Sequence, residues 1–142
     1  MQLEIVTQAD EELYEAFQRL VPQLTTNNPP PSLNDLADLV RDSSSTLIIA
    51  RNDNNDIVGA LTLAVYRVPT GIRSVIEDVI VDISTRGEGV GEALMLRGIE
   101  LAREKGAGNI SLTSNPMRVA ANKLYLRVGF TKRETNAYQM KL

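Results

Sequence analysis

The sequence predicts an α+β fold: a mixed β-sheet, with an antiparallel meander first and a parallel βαβ crossover after it, flanked by about four helices. Three observations predict it. Short apolar runs broken by turn residues occupy the middle of the chain, residues 46–82. Segments with apolar residues at helical spacing lie before and after them. A glycine-rich junction, Arg86-Gly87-Glu88-Gly89-Val90-Gly91, then joins the last of those runs to a helix. The chain has 142 residues, long enough to bury a substantial core, and residues 1–142 are read as a single domain.

Taken in order, Met1-Gln2-Leu3-Glu4-Ile5-Val6 alternates as a half-buried strand does. Thr7 and Asp10 form a capping-box pattern for a helix carrying Leu13, Phe17, Leu20 and Leu24. Pro29, Pro30 and Pro31 cannot continue a helix and favour a stiff, extended connector. Ser32 with Asp35 opens a second, shorter helix through Leu33, Leu36, Leu39 and Val40. Strands are predicted over residues 46–50, 57–65 and 74–82, with turns at Asp53-Asn54-Asn55-Asp56 and Pro69-Thr70-Gly71. A broadly apolar helix over 90–105 stops at Gly106. A strand over 109–114 and a helix over 118–127 closed by Gly129 follow, and residues 131–142 read as a terminal hairpin.

The glycine junction is the clearest pointer to function. The first N–H groups of a helix lack partners of their own, and the helix dipole favours negative charge there. Glycines at 87, 89 and 91 remove Cβ atoms that would hold a bulky anion away. Arg86 adds a fork of charged donors suited to phosphate oxygens. An anion, a phosphate foremost, is predicted to dock here; the alternative is a turn that merely lets a helix pack on a sheet. Two better-known phosphate loops do not fit the letters. A dinucleotide fingerprint from Gly87 needs glycine where Glu92 stands, and one from Gly89 needs glycine or alanine where Leu94 stands. The P-loop needs Gly-Lys followed by Ser or Thr, which occurs nowhere.

Composition narrows the chemistry further. The chain contains no histidine and no cysteine. Ser-His-Asp triads, thiolate nucleophiles, disulfides and His- or Cys-ligated metal sites are therefore excluded. Proton transfer must rest on carboxylates, lysines, tyrosines or water, which points to substrates that already hold their reactive groups. A formal net charge of −3 offers no broad basic surface for nucleic acid. No apolar run approaches the about 18 residues of a membrane span, and the N-terminus has no basic n-region, so a cytoplasmic location is expected.

Two motifs together carry a resemblance. Arg86, Gly89 and Gly91 match the Gln/Arg-x-x-Gly-x-Gly/Ala signature after the fourth strand of the GNAT superfamily of acetyl-CoA-dependent N-acetyltransferases. Ala121-Asn122-Lys123-Leu124-Tyr125-Leu126-Arg127-Val128-Gly129-Phe130 is similar to that family's asparagine-and-tyrosine helix ending in Gly-Phe. One helix and one strand separate the motifs, as in the family, and the resemblance covers essentially the whole chain. Ile76-Glu77-Asp78-Val79 with Ser111-Leu112-Thr113-Ser114 resembles a common bacterial subgroup.

The resemblance implies acetyl-CoA as cosubstrate and no metal. Backbone N–H groups of Arg86, Gly87, Glu88, Gly89, Val90 and Gly91 would hold the coenzyme A pyrophosphate. Backbone of Val79, Ile80 and Val81 would pair with the pantetheine amides like a short extra strand. In the family the fourth and fifth strands splay apart there, often at a bulge. Asn122 would hydrogen-bond the pantetheine arm, and Tyr125 would stand near the thioester sulfur. The acceptor would be a primary amine, on a small molecule or at a protein N-terminus or lysine. Homodimers are common in the family; neither a nucleic acid nor a membrane partner is implied.

The implied reaction is direct attack of the amine on the thioester. The amine must be neutral, although one near the lysine value of about 10.4 is mostly protonated at neutral pH. Glu77, on the central strand just before the pantetheine segment, is the candidate proton acceptor, directly or through a water; otherwise it is a structural carboxylate. A regular strand would point Asp78 to the opposite face, and a bulge would undo that parity. Tyr125 is the candidate acid for the leaving thiolate or else a packing aromatic. The Val79 N–H is a candidate donor to the thioester oxygen. Arg118, at a helix start, is a weaker candidate for meeting phosphate or an acidic acceptor. Arg67 and Arg73 read as solvated charges, while Asn136 and Tyr138 are placed as acceptor-pocket candidates. A non-catalytic acyl-CoA-binding or regulatory module on the same fold is the competing reading.

Overall fold

The computed structural model describes residues 1–142. Strand β1 (Gln2–Ile5) precedes helices α1 (Glu11–Leu24) and α2 (Leu33–Arg41), then strands β2 (Ser45–Arg51), β3 (Ile57–Val68) and β4 (Gly71–Val81). A 3-10 turn over Ile83–Thr85 leads to α3 (Val90–Glu104), the short strand β5 (Ile110–Ser111) and α4 (Val119–Arg127). The strands form one sheet in the order β1-β2-β3-β4-β5, antiparallel up to β4 and parallel between β4 and β5. The mixed sheet and its helices are those the sequence predicts. No helix is long and apolar enough to cross a membrane.

Helices cover both faces of the sheet, which is why β2 reads as the unbroken apolar run Leu47-Ile48-Ile49-Ala50. On one face Ile48, Leu61, Leu63 and Ile76 pack against Leu94 and Met95 of α3 and Tyr125 of α4. On the other, Leu47, Ile49 and Ile80 meet Leu13, Phe17 and Leu20 of α1 and Leu36 of α2. Each such buried aliphatic side chain contributes about 1.5–3 kcal/mol. The Ser32–Asp35 capping box of α2 forms in both directions, at 3.1 and 3.0 Å.

Three sequence expectations need correction. α1 is capped by Asp10, not Thr7: the Asp10 carboxylate accepts the Leu13 N–H at 2.9 Å. A charged cap followed by Glu11 and Glu12 complements the helix dipole better than a threonine cap would. β5 pairs with β4 only at Ser74–Ile110 and Val75–Ser111, so the strand predicted over 109–114 is short. Residues 131–142 form no strand, and all of them are exposed. Thr131-Lys132-Arg133-Glu134-Thr135 has no apolar side chain to bury, so a hairpin there would add hydrogen bonds without a core.

Candidate active site

The site begins with an irregularity in β4. Opposite β3, Ala60 pairs with Ile80 but Thr62 pairs with Glu77, so β4 carries one extra residue. Asp78 sits in that bulge with φ 49°, a left-handed conformation that aspartate tolerates better than most residues. The bulge inverts the strand's parity. Glu77, across from Thr62, shares the α1–α2 face with Ile80, whereas Val79 and Val81 pack toward the α3–α4 core. Beyond Val75 no strand accompanies β4 on its outer edge, so Val79, Ile80 and Val81 border a gap. On the segment that follows β5, the Ser114 hydroxyl is buried without a hydrogen-bond partner.

At the end of β4 the chain turns into the glycine loop. Thr85 N–H donates to the Asp82 carbonyl at 2.9 Å, and Glu88 N–H to the Thr85 carbonyl at 3.3 Å. The N–H groups of Arg86, Gly87, Gly89, Val90, Gly91 and Glu92 meet no acceptor in the protein, and α3 has no side-chain cap. Glu88 thus differs from its neighbours: its N–H is already spent inside the loop. Arg86 is exposed and makes no internal bond.

The loop's glycines serve different ends. Gly87 (φ 86°) and Gly89 (φ 83°) are left-handed, and a Cβ on either would meet nothing within 4 Å. A Cβ on Gly91 would lie 3.1 Å from Leu124 Cδ2 and 3.4 Å from Val81 Cγ2, so this glycine lets α3, α4 and β4 close together. Gly59 of β3, which no motif points to, does the same for the start of α3. A Cβ there would stand 2.8 Å from Val90 Cγ1. A lone glycine inside a strand pattern was the available signal.

On α4, Asn122 donates through Nδ2 to the carbonyls of Asn115 (3.0 Å) and Arg118 (2.8 Å), tying the helix start to the chain after β5. Its Oδ1 stays free to accept. Tyr125 is buried in the α3–α4 core, edge-on to Phe130 at 6.4 Å and 66° between planes. Its hydroxyl bonds to no protein group. Tyr125 and Val79 therefore lie on the α3–α4 face of the sheet, and Glu77 on the other.

The carboxylates differ in character. Glu77 is exposed at the strand edge, yet partial desolvation, and then the neighbouring Asp78 charge, raise its pKa above the usual carboxylate value. Burial acts the same way on Asp82, but the Ser84 N–H and hydroxyl, the Arg19 guanidinium and the Gln23 side chain outweigh it and lower its pKa. Arg118 is exposed as the residue preceding α4, and Arg73, on the first part of β4, donates to Thr70 Oγ1 of the preceding turn at 3.0 Å. Asn136 and Tyr138 lie on the exposed tail, where Asn136 Nδ2 donates to the Tyr138 hydroxyl at 3.3 Å.

A helix start with unpartnered N–H groups beside a bulged, unaccompanied strand edge, on this mixed sheet, is the arrangement that the acyltransferase resemblance implies. The chain belongs to the acetyltransferase (GNAT) family, whose model matches residues 10–130. It is similar to glucosamine 6-phosphate N-acetyltransferase of Trypanosoma brucei brucei, 34% identical over 116 residues covering 77% of each chain. It is also similar to mycothiol acetyltransferase of Renibacterium salmoninarum, 29% identical over 106 residues that cover 71% of this chain but 31% of that protein. The crystal structure of a Trypanosoma brucei acetyltransferase matches with a TM-score of 0.77 at 29% identity, covering 99% of this chain and 97% of that one.

Proposed function

We propose that this chain transfers an acetyl group from acetyl-CoA to a primary amine by direct attack in a ternary complex. The observation that carries the proposal is the run of unsatisfied N–H groups at Arg86, Gly87, Gly89, Val90 and Gly91 beside the open edge of β4. The residues present fit the cosubstrate. Open space over Gly87 and Gly89 leaves room for a pyrophosphate, and Arg86 can add charged donors. The β4 edge from Val79 to Val81 offers main-chain groups to pantetheine amides, and Asn122 Oδ1 an acceptor.

Bound acetyl-CoA supplies an activated acyl group whose leaving group is a thiolate. Glu77, its pKa raised by partial desolvation and by the Asp78 charge, is a better proton acceptor than a fully solvated carboxylate and takes the amine's proton, directly or through a water. Tyr125, with no internal hydrogen bond, gives its phenolic proton to the departing sulfur and regains one from solvent. The Val79 N–H steadies the carbonyl oxygen as negative charge develops. Two relatives named for acting on small molecules favour a small-molecule amine over a protein N-terminus or lysine as acceptor.

Thermal unfolding with acetyl-CoA, dephospho-CoA and ATP tests the reading. A CoA species at a hundred times its Kd should stabilise the fold by about 2.7 kcal/mol through mass action. No shift with any CoA species would overturn it. Thiol release in a panel of amines then separates a transferase from a module that only binds acyl-CoA.

A further inference from the structure

α1 and the glycine loop are distant in sequence but joined by a tight set of bonds. Arg19 Nη1 donates to Asp82 Oδ2 at 2.7 Å, and Nη2 to the Ile57 carbonyl at 2.8 Å. Gln23, one turn further along α1, accepts the Ile83 N–H at 2.9 Å. The other Asp82 oxygen accepts the Ser84 N–H at 3.1 Å and the Ser84 hydroxyl at 3.0 Å. The Asp82 carbonyl takes both the N–H and the hydroxyl of Thr85, at 2.9 and 3.1 Å.

One buried carboxylate therefore fixes the turn on one side and is gripped by α1 on the other. Such a group is tolerated only because charged and polar donors compensate for its lost water. From the turn the bonds reach the loop itself, since the Thr85 carbonyl holds the Glu88 N–H, next to the Gly89 cap of α3. Gly87 and Gly89 impose little conformation of their own. The aim of the free N–H groups must be set from outside; packing at Gly59 and Gly91 seats the start of α3, and this chain of bonds is the hydrogen-bonded connection that reaches the loop before it.

We infer that Arg19 is a positioning residue: through Asp82 it orders the anion-binding loop and so governs affinity for the CoA pyrophosphate. The inference rests on the reading of the loop as the CoA site. Pre-ordering spares the ligand the cost of ordering the loop on binding. Lysine cannot replace Arg19 fully, because a single ammonium lacks the planar fork that serves Asp82 and the Ile57 carbonyl together.

The experiment compares wild type, Arg19→Ala and Arg19→Lys at a temperature where circular dichroism shows each folded. Calorimetry gives the Kd for free CoA, and NMR hydrogen exchange follows the Ser84, Thr85 and Glu88 amides against those of α3. The alanine variant should bind CoA roughly 10-fold more weakly, equivalent to about 1.4 kcal/mol. Its KM for acetyl-CoA should rise while kcat holds, and exchange should quicken at the turn but not in α3. The lysine variant should fall between. A lower melting temperature with unchanged Kd and unchanged turn exchange would make Arg19 merely structural and overturn the inference. Should wild type bind no CoA, the cofactor reading fails, and turn exchange alone decides: quickened in Arg19→Ala supports the clamp, unchanged overturns it.

Discussion

Ile76 and Ile80 stand on the same strand at an even spacing, yet Ile76 packs under α3 and Ile80 under α1. In a regular strand they would share a face. The single extra residue at Asp78 separates them, and it also sends Glu77 and Val79 to opposite faces at the edge of the gap. A one-residue irregularity thus arranges the proposed proton acceptor, the oxyanion donor and the binding edge at once.

Asp78 should therefore be sensitive to backbone preference more than to charge. Asp78→Val places a β-branched residue at φ 49° and should cost about 1–2 kcal/mol in urea unfolding, with turnover reduced as the bulge gives way. Asp78→Gly accepts the left-handed conformation and should stay within about 1 kcal/mol of wild type. Equal stability of the two variants would show that the bulge does not depend on residue 78.

Glu77→Gln should reveal both a stability effect and a catalytic one. A carboxyl whose folded pKa is raised stabilises the fold while protonated, and that contribution is lost as pH rises through the folded value. At neutral pH the ionised Glu77 is therefore a cost, and the glutamine variant should melt higher than wild type. The difference should vanish below the ordinary value of 4.5. Turnover should fall at neutral pH and recover partly at high pH, where the amine deprotonates unaided. Superimposable pH–rate profiles for the two proteins would make Glu77 structural and leave proton transfer to Asp78 or water.

What the sequence disclosed depended on how local the cause was. The strand–glycine–helix junction, the Ser32–Asp35 box and the Gly129 helix stop each depend on a few neighbouring residues, and all appear where the letters place them. The α1 start differs from the sequence expectation because Asp10 serves as the cap itself rather than as the partner of Thr7 in a capping box, and that choice depends on the charge that follows. The bulge at Asp78 was only conditional in the sequence, since its sole local sign is an aspartate that tolerates positive φ. Arg19 and Asp82 are 63 residues apart, and Gly59 owes its role to Val90 packing onto it; no periodicity encodes either. The letters put Asn122 on α4 but do not disclose that its amide nitrogen is committed to holding that helix start.

Tyr125→Phe isolates one proton. The ring packs in the core and against Phe130, while the hydroxyl has no internal partner. Stability should therefore change by no more than about 0.5 kcal/mol, and acetyl-CoA affinity should barely move. Turnover should drop by roughly 10²–10⁴-fold if protonation of the departing thiolate limits the rate. Undiminished turnover under conditions where chemistry is rate-limiting would leave Tyr125 as a packing residue.

Gly89 and Gly91 belong to one motif but should respond oppositely to substitution. Gly89 has φ 83° with open space where its Cβ would be, so a side chain there meets no protein atom but strains the backbone and occupies the proposed anion site. Gly89→Val should cost about 1–2 kcal/mol and abolish the thermal shift with CoA while the chain still folds. Gly91 has ordinary helical backbone, and its added Cβ would press 3.1 Å from the far end of the flexible Leu124 side chain. Alanine also suits a helix better than glycine by about 0.5–1 kcal/mol, which offsets the crowding. Gly91→Ala should therefore keep both stability and the CoA shift, whereas Gly91→Val, pushing further into Leu124 and Val81, should lose stability first. If Gly91→Ala instead removed binding from a fully folded chain while Gly89→Val retained it, the anion would have to sit over Gly91, and the division of labour between the two glycines would be reversed.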